Sequence, residues 1–329
     1  MQSMAKNRYN WACIGCGDIA SDMAEVMAER GTPFYCVYSR TPERAKVFAN
    51  KYGIKKVCSC AKELFEDENV DIVYIATPHN HHIEYILEAA ENNKHILCEK
   101  AITLNSDELE KAKRLCEQNG LILAEAQTIY HMPVFNTVEK YIEDGTLGKL
   151  ELLDVKFGTR KIYDETNRFY SPCLAGGTML DIGVYALSFV RRFLSENATE
   201  IKSSARLAPT GVDEQAVILL SNSNNEMAAV SLSFIAKLPR IAVASFENGW
   251  VEFDNFNRAT RARINLFDTN QPIDVMSDES VSPLLYEVED MEEAVSGREN
   301  RMRFELTEDV MQLMTKLRKD WGVIYPEEK

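Results

Sequence analysis

Several stretches of this 329-residue chain hold residue types at spacings that could do chemistry. The first is Trp11–Ala20, where an apolar run, Trp11 to Ile14, meets the turn Gly15-x-Gly17-x-x-Ala20. Ile19, Met23, Val26 and Met27 follow at helical spacing. Strand, glycine turn and helix in that order are the context a dinucleotide fingerprint needs. Gly15 allows the tight turn. Gly17 lets a pyrophosphate approach the backbone. Ala20 stands for the third glycine, where helix and strand pack closely. Free N–H groups at the helix start, around Asp18 and Ile19, together with the helix dipole, make an anion site without a basic residue. Taken alone, the same letters also fit a plain strand-to-helix turn.

The second stretch is Ser39-Arg40-Thr41-Pro42, after the buried strand expected over Phe34–Tyr38. In a dinucleotide fold this strand end faces the adenosine ribose, and an acid there would bind both ribose hydroxyls of NAD. Ser39 and Arg40 occupy the place instead. A carboxylate would repel a 2′-phosphate, whereas serine and arginine can bind one, so NADP(H) is expected over NAD(H). The third stretch, Thr77-Pro78-His79-Asn80-His81-His82, follows the apolar run Val70–Ala76. Three histidines in four residues invite a metal reading. The place, at the carboxyl end of a parallel strand, favours a cofactor-edge loop over a metal site, with a solvated helix start as the other reading. The fourth is Ala175–Tyr185. Gly176 and Gly177 permit close backbone approach at a helix entrance. Leu180, Val184, Leu187 and Val190 form an apolar stripe, with Asp181 and Tyr185 four apart on one face beside it.

The elements that must position these residues alternate. Short strands are expected at Val57–Ser59, Val70–Ala76, His95–Cys98 and Leu121–Ala124. Helices between them include Ala61–Glu66, His82–Asn92 and a segment capped by Asn105 and Glu108. That is the doubly wound α/β pattern. Beyond an expected hinge at Glu125–Thr128 come a helix at Pro133–Ile142 and strands at Leu150–Phe157, Glu200–Leu207, Glu214–Ser221, Met227–Phe234, Ile241–Phe246 and Trp250–Asp254. The expected division is residues 1–124, a dinucleotide-binding domain, and 125–329, an α+β substrate and oligomerisation domain. Asp290–Asp320 reads as one charged amphipathic packing helix.

Composition bounds the rest. With 45% hydrophobic and 27% charged residues the chain is ordinary globular protein. A net charge of −14 disfavours nucleic acid and anionic membrane as partners. The eight cysteines show no Cys-x-x-Cys spacing and read as small hydrophobes in a reducing cytoplasm. Met1–Asn10 has no apolar targeting core, and no run is expected to span a bilayer.

At Cys98-Glu99-Lys100-Ala101 the residues resemble a known family. It is the glucose–fructose oxidoreductase and inositol dehydrogenase (Gfo/Idh/MocA) family, and in motif the chain is most like the dimeric dihydrodiol dehydrogenase branch. That family ends this strand in Glu-Lys-Pro. Its Thr-Pro-Asn-x-x-His turn corresponds to Thr77, Pro78 and His82, and its Ser-Arg ending to Ser39 and Arg40. Its Gly-Gly-x-Leu-x-Asp-x-Gly-x-His/Tyr segment corresponds to Gly176–Tyr185, with a recurrent arginine at Arg168. The chain departs at Ala101, where the family has proline, and at Tyr130-His131, where members often have arginine.

The resemblance implies a Rossmann-type doubly wound sheet followed by an α+β domain with an open-faced, mostly antiparallel sheet whose exposed face often pairs between subunits, so a homodimer or larger assembly is expected. It implies hydride transfer between nicotinamide and a sugar, polyol or vicinal diol, or the matching carbonyl. Lys100 lies between nicotinamide ribose and substrate, Glu99 joins the cofactor set, and Arg168 contacts substrate. Tyr185 is the acid or base. A free tyrosine titrates near ~10, and a lysine cation beside it favours the phenolate. Asp181 orients a substrate hydroxyl or holds Lys100. A non-catalytic dinucleotide sensor and a cofactor-retaining glycosidase or lyase are the competing readings.

Overall fold

The computed structural model describes residues 9–329. The reading of the N-terminus as free of a targeting core falls, for residues 1–8, outside the described residues. Contacts divide the chain into two compact units: residues up to Gln127 with Ser282–Phe304, and Thr128–Val281 with Glu305–Lys329.

The first unit carries β1 (Trp11–Ile14), α1 (Asp18–Glu29), β2 (Cys36–Tyr38), α2 (Pro42–Tyr52), β3 (Lys56–Val57), α3 (Ala61–Phe65), β4 (Ile72–Ile75), α4 (His82–Glu91), β5 (His95–Glu99), α5 (Ser106–Gln118) and β6 (Leu123–Ala126). The six strands pair in parallel in the order β3-β2-β1-β4-β5-β6. The order reverses beside β1, so the crevice that binds ligands in such sheets opens at the carboxyl ends of β1 and β4. β1 and β4 are fully buried, as a parallel strand covered on both faces must be. α1 presents Ala20, Met23, Ala24 and Met27 to the sheet.

The second unit holds α6 (Pro133–Glu143), β7 (Leu150–Gly158), α7 (Val184–Phe193), β8 (Glu200–Leu207), β9 (Asp213–Ser221), β10 (Met227–Ser233), β11 (Leu238–Phe246), β12 (Gly249–Asp254), β13 (Arg261–Leu266) and β14 (Ile273–Met276). They form one eight-stranded sheet, ordered β14-β13-β12-β11-β7-β10-β9-β8. Only the β7–β10 pair is parallel. One face is lined by Leu153, Val155, Ile218, Val230 and Phe253, all buried. Phe135 of α6 and Phe189 of α7 meet Phe253 with ring centroids 5.0 and 5.3 Å away.

Three expectations are corrected. Asp290–Asp320 is two helices, α8 (Pro283–Val295) and α9 (Phe304–Trp321). α8 joins the first unit rather than a domain running unbroken from 125. Leu284, Val288 and Met291 enter the same apolar cluster as Met23 and Met27, and Glu292 takes a bidentate ion pair from Arg30 at 2.8 and 2.6 Å. The third concerns membrane spans. Pro172–Phe193 is long and apolar enough to cross a bilayer by composition, yet 78% of its most apolar window is buried inside the structure.

Candidate active site

In the first unit the glycine turn forms as its letters require. Gly15 sits at φ +107°, and a Cβ there would lie 2.2 Å from the Ala76 carbonyl oxygen. Only glycine therefore lets β1 and β4 approach at this point. Gly17 is the N-cap of α1 and bears no capping side chain, so the first helical N–H groups are left to a ligand. Beyond its chain neighbours nothing lies within 4 Å of a Cβ built on Gly17, which leaves the room a pyrophosphate needs. Asp18 and Ile19 open the helix, and Ala20 is fully buried. The Thr77 hydroxyl, at the end of β4, is a buried oxygen with no protein partner. Open space at Gly17 and an orphaned hydroxyl at Thr77 both fit a dinucleotide.

At the end of β2, Ser39 Oγ accepts the Thr41 N–H at 3.3 Å, and the Arg40 guanidinium meets His81 Nε2 at 3.1 Å. The Cys16 thiol, between the two glycines, is pushed up to about 11 by burial, so it is a neutral neighbour of Ser39.

Lys100 follows β5 on a turn braced from four sides. Tyr74 donates to Glu99 Oε1 at 2.5 Å. His79 Nε2 lies 3.1 Å from the Lys100 carbonyl. His82 Nδ1 lies 3.0 Å from the Ala101 carbonyl. The Ile102 N–H donates to Glu125 Oε1 at 3.1 Å. The Lys100–Ala101 peptide is cis. His82 is fully buried, and its Nε2 lies 2.8 Å from the Thr77 carbonyl. Both ring nitrogens therefore face backbone, and His82 ties the Thr77 turn to the Lys100 turn. Burial lowers its pKa to about 4 against the pull of those carbonyls. The three histidines thus find carbonyls and an arginine. Among the described residues no group of three or more His, Cys, Asp or Glu side chains is placed to hold a metal.

In the second unit, every residue from Ala175 to Val190 is buried except Asp181 and Tyr185. The predicted stripe of Leu180, Val184, Leu187 and Val190 is fully inside. The entrance differs from a continuous α-helix. Met179–Gly183 makes one π-helical turn before α7 begins. Such turns widen the spacing locally and recur at functional sites. Arg168 Nη2 stands 3.8 Å from Asp181 Oδ1, and the Tyr185 ring lies 6.2 Å from that of Phe157. Tyr130 is buried, with its hydroxyl 3.1 Å from Ser188 Oγ.

The entrance to this helix is fixed by residues the sequence did not single out. Asp213 Oδ2, on β9, accepts the Thr178 hydroxyl at 2.5 Å and the Met179 N–H at 2.7 Å. Gly177 has φ +122°, and a Cβ on it would sit 2.3 Å from Asp213 Oδ1. From the C-terminal end the Tyr325 hydroxyl donates to the Gly176 carbonyl at 2.7 Å. Asp213 lies 32 residues beyond Asp181 by number, and Tyr325 much further, so no local spacing marks either one.

A parallel sheet with a glycine turn at its switch point is the fold of dinucleotide-binding proteins, and the second unit holds one half-buried acid and one half-buried phenol in a buried segment. Family matching makes this specific. Residues 9–127 match the oxidoreductase family with NAD-binding Rossmann fold, and residues 135–252 match the GFO/IDH/MocA C-terminal domain; the chain belongs to this oxidoreductase family. It is 26% identical to the trans-1,2-dihydrobenzene-1,2-diol dehydrogenase of Mus musculus, over 97% of this chain and 98% of that one. It is 27% identical to the NADP(+) scyllo-inositol 2-dehydrogenase of Bacillus subtilis, over 97% and 99%. Among solved structures it superposes on a 3-ketoreductase from Actinomadura kijaniata in complex with NADP and TDP-benzene. The TM-score is 0.84 and identity 23%, covering 95% of this chain and 98% of that one. An aldose–aldose oxidoreductase from Caulobacter crescentus complexed with glycerol gives a TM-score of 0.85 at 21% identity, covering 96% and 98%.

Proposed function

We propose that the protein is an NADP(H)-dependent dehydrogenase or reductase acting on a sugar, polyol or vicinal diol, or on the matching carbonyl. The observation that carries it is the pair Asp181 and Tyr185, the two half-buried side chains in an otherwise buried segment. The nicotinamide, when bound, supplies or takes the hydride. The protein then has to hold the substrate and move one proton. Tyr185 exchanges that proton at the substrate oxygen, Asp181 and Arg168 orient neighbouring hydroxyls, and Lys100 takes the place beside the nicotinamide ribose. The Gly15–Ile19 turn holds the pyrophosphate. Thr77 and Pro78 line the cofactor edge, and Ser39 and Arg40 face the ribose. Oxidation of a panel of polyols and diols, followed by NADPH formation, tests the reading. Tight cofactor binding with no turnover of any alcohol or carbonyl would replace it with the sensor reading.

The cofactor preference rests on Ser39 and Arg40. Titration of cofactor fluorescence is expected to give a dissociation constant for NADPH at least about tenfold below that for NADH, the order of one charge-assisted phosphate contact. Tighter NADH would reverse it.

Two further parts of the proposal concern the setting. The eight free cysteines suit a reducing cytoplasm. The outer face of the eight-stranded sheet suits a homodimer. Leu152 opposes Met227 across β7 and β10, Leu219 opposes Ala229, and Val217 opposes Ser231. Leu152, Met227, Leu219 and Val217 are each 43–51% exposed, an apolar patch on one sheet face that suits a partner. Size-exclusion with light scattering is expected to give a dimer at micromolar concentration, and Leu219→Glu a monomer. A monomeric wild type would remove the dimer from the proposal.

A further inference from the structure

We infer that Glu84 and His81 hold Arg40 as a prebuilt clasp for the 2′-phosphate of the cofactor, an inference that rests on the NADP(H) reading. Arg40 ends β2 and is exposed, so a free guanidinium there would sample many rotamers. One Arg40 nitrogen, Nη1, is 3.1 Å from His81 Nε2. A guanidinium has donors and no acceptor, so Nε2 must receive this bond through its lone pair. The ring proton of a neutral His81 is then on Nδ1. That atom faces Glu84 Oε2 at 3.6 Å, which favours the same tautomer. The chain of contacts runs carboxylate, imidazole, guanidinium. It crosses from the first turn of α4 to the end of β2, within one unit.

The arrangement uses one of the five Arg40 donors and leaves the fork directed by its neighbour rather than by solvent. An oriented fork matches a phosphate bidentately and loses less freedom on binding it. Ser39 lies next in sequence, with its oxygen already turned to the Thr41 N–H. His81 is therefore a positioning residue for the 2′-phosphate, acting through Arg40. NADH has no such phosphate, and its binding does not draw on the clasp.

Binding, not turnover, tests this. Dissociation constants for NADPH and NADH are measured on the full-length protein and on His81→Leu, His81→Gln and Glu84→Gln. His81→Leu removes the acceptor and is expected to weaken NADPH about fivefold, the order of one partly exposed charge-assisted contact, with NADH unchanged. His81→Gln restores an acceptor oxygen and is expected to recover most of the loss. Glu84→Gln, an exposed change that spares the fold, is expected to shift NADPH in the same direction by less. An NADPH constant that none of these variants moves overturns the inference, and so does a parallel loss of NADH. Wild type that prefers NADH overturns the cofactor reading and the inference with it. Wild-type NADPH preference with an unresponsive His81→Leu overturns the inference alone.

Discussion

Tyr185→Phe is expected to lower kcat by ~10²–10⁴-fold, the range for loss of a general acid–base group. The change deletes one oxygen and keeps the ring. That ring sits 6.2 Å from Phe157, and its neighbours Val184 and Ala186 are fully buried, so the phenylalanine retains the packing and the fold. The defect should therefore fall on the chemical step. NADPH affinity is expected to stay at the wild-type value, because the pyrophosphate turn and the β2 end belong to the first unit. A kcat that falls with KM unchanged is the signature of a group that acts in the transition state only. A rise in KM at constant kcat would assign Tyr185 to substrate binding instead. Near-normal turnover would remove it from the proton-transfer role, and the acid or base would have to be sought in Asp181.

Some of this was legible in residues close together in sequence. Gly15, Gly17 and Ala20 specify a turn whose geometry is local, and the structure shows why Gly15 tolerates nothing larger. The strands Leu150–Gly158 and Asp213–Ser221 largely alternate buried and exposed positions, as a sheet with one covered face imposes, while the edge strand Glu200–Leu207 has no buried position. What escaped depends on contacts between distant residues. β13 and β14 are the exception: they are short edge-side strands that pair with the strands next to them in sequence, β12 with β13 and β13 with β14. The break between α8 and α9 follows from Met302 and Met291 entering the first unit's core, which an amphipathic period cannot show. His82 has the letters of a ligand residue. Only its burial and the two carbonyls beside its ring show that it holds backbone. The π-turn at Met179–Gly183 likewise has no spacing signature. It forms where Asp213 takes the Met179 N–H and Gly177 turns at positive φ.

Asp213 gives the second large effect, and it is read through pH. Its carboxylate is fully buried, and burial raises its pKa to about 6, even though the Thr178 hydroxyl and the Met179 N–H both favour the charged form. In the unfolded chain an aspartate titrates near ~3.9. Below ~4 both states are protonated and the group is neutral in its effect. Between ~4 and ~6 the unfolded state ionises first, so folding stability falls as pH rises, by about 1.4 kcal/mol per unit. Above 6 the loss is complete, roughly 3 kcal/mol. His82 has the opposite sign. Its folded pKa is lowered to about 4, so its contribution is present above the unfolded value near ~6.5 and is lost as pH falls toward 4. Wild-type stability alone would mix the two. The difference between wild type and Asp213→Asn, from urea unfolding at pH 4 to 8, isolates Asp213. The asparagine is expected to gain on wild type as pH rises through this window and to hold that gain above 6. A difference that is flat with pH would mean that Asp213 is not charged and buried as described. Asp213→Ala separates the geometric role from the charge. It strips two buried donors of their acceptor, at ~1–3 kcal/mol each, and frees the turn that aims Asp181 and Tyr185. A misplacement of that kind is expected to cut kcat by about 10²-fold where the protein still folds. Both donors meet the same oxygen, Oδ2, so Asp213→Asn keeps an amide oxygen that can accept both and should retain most of the rate; a kcat equally low in both variants would transfer the effect from position to charge.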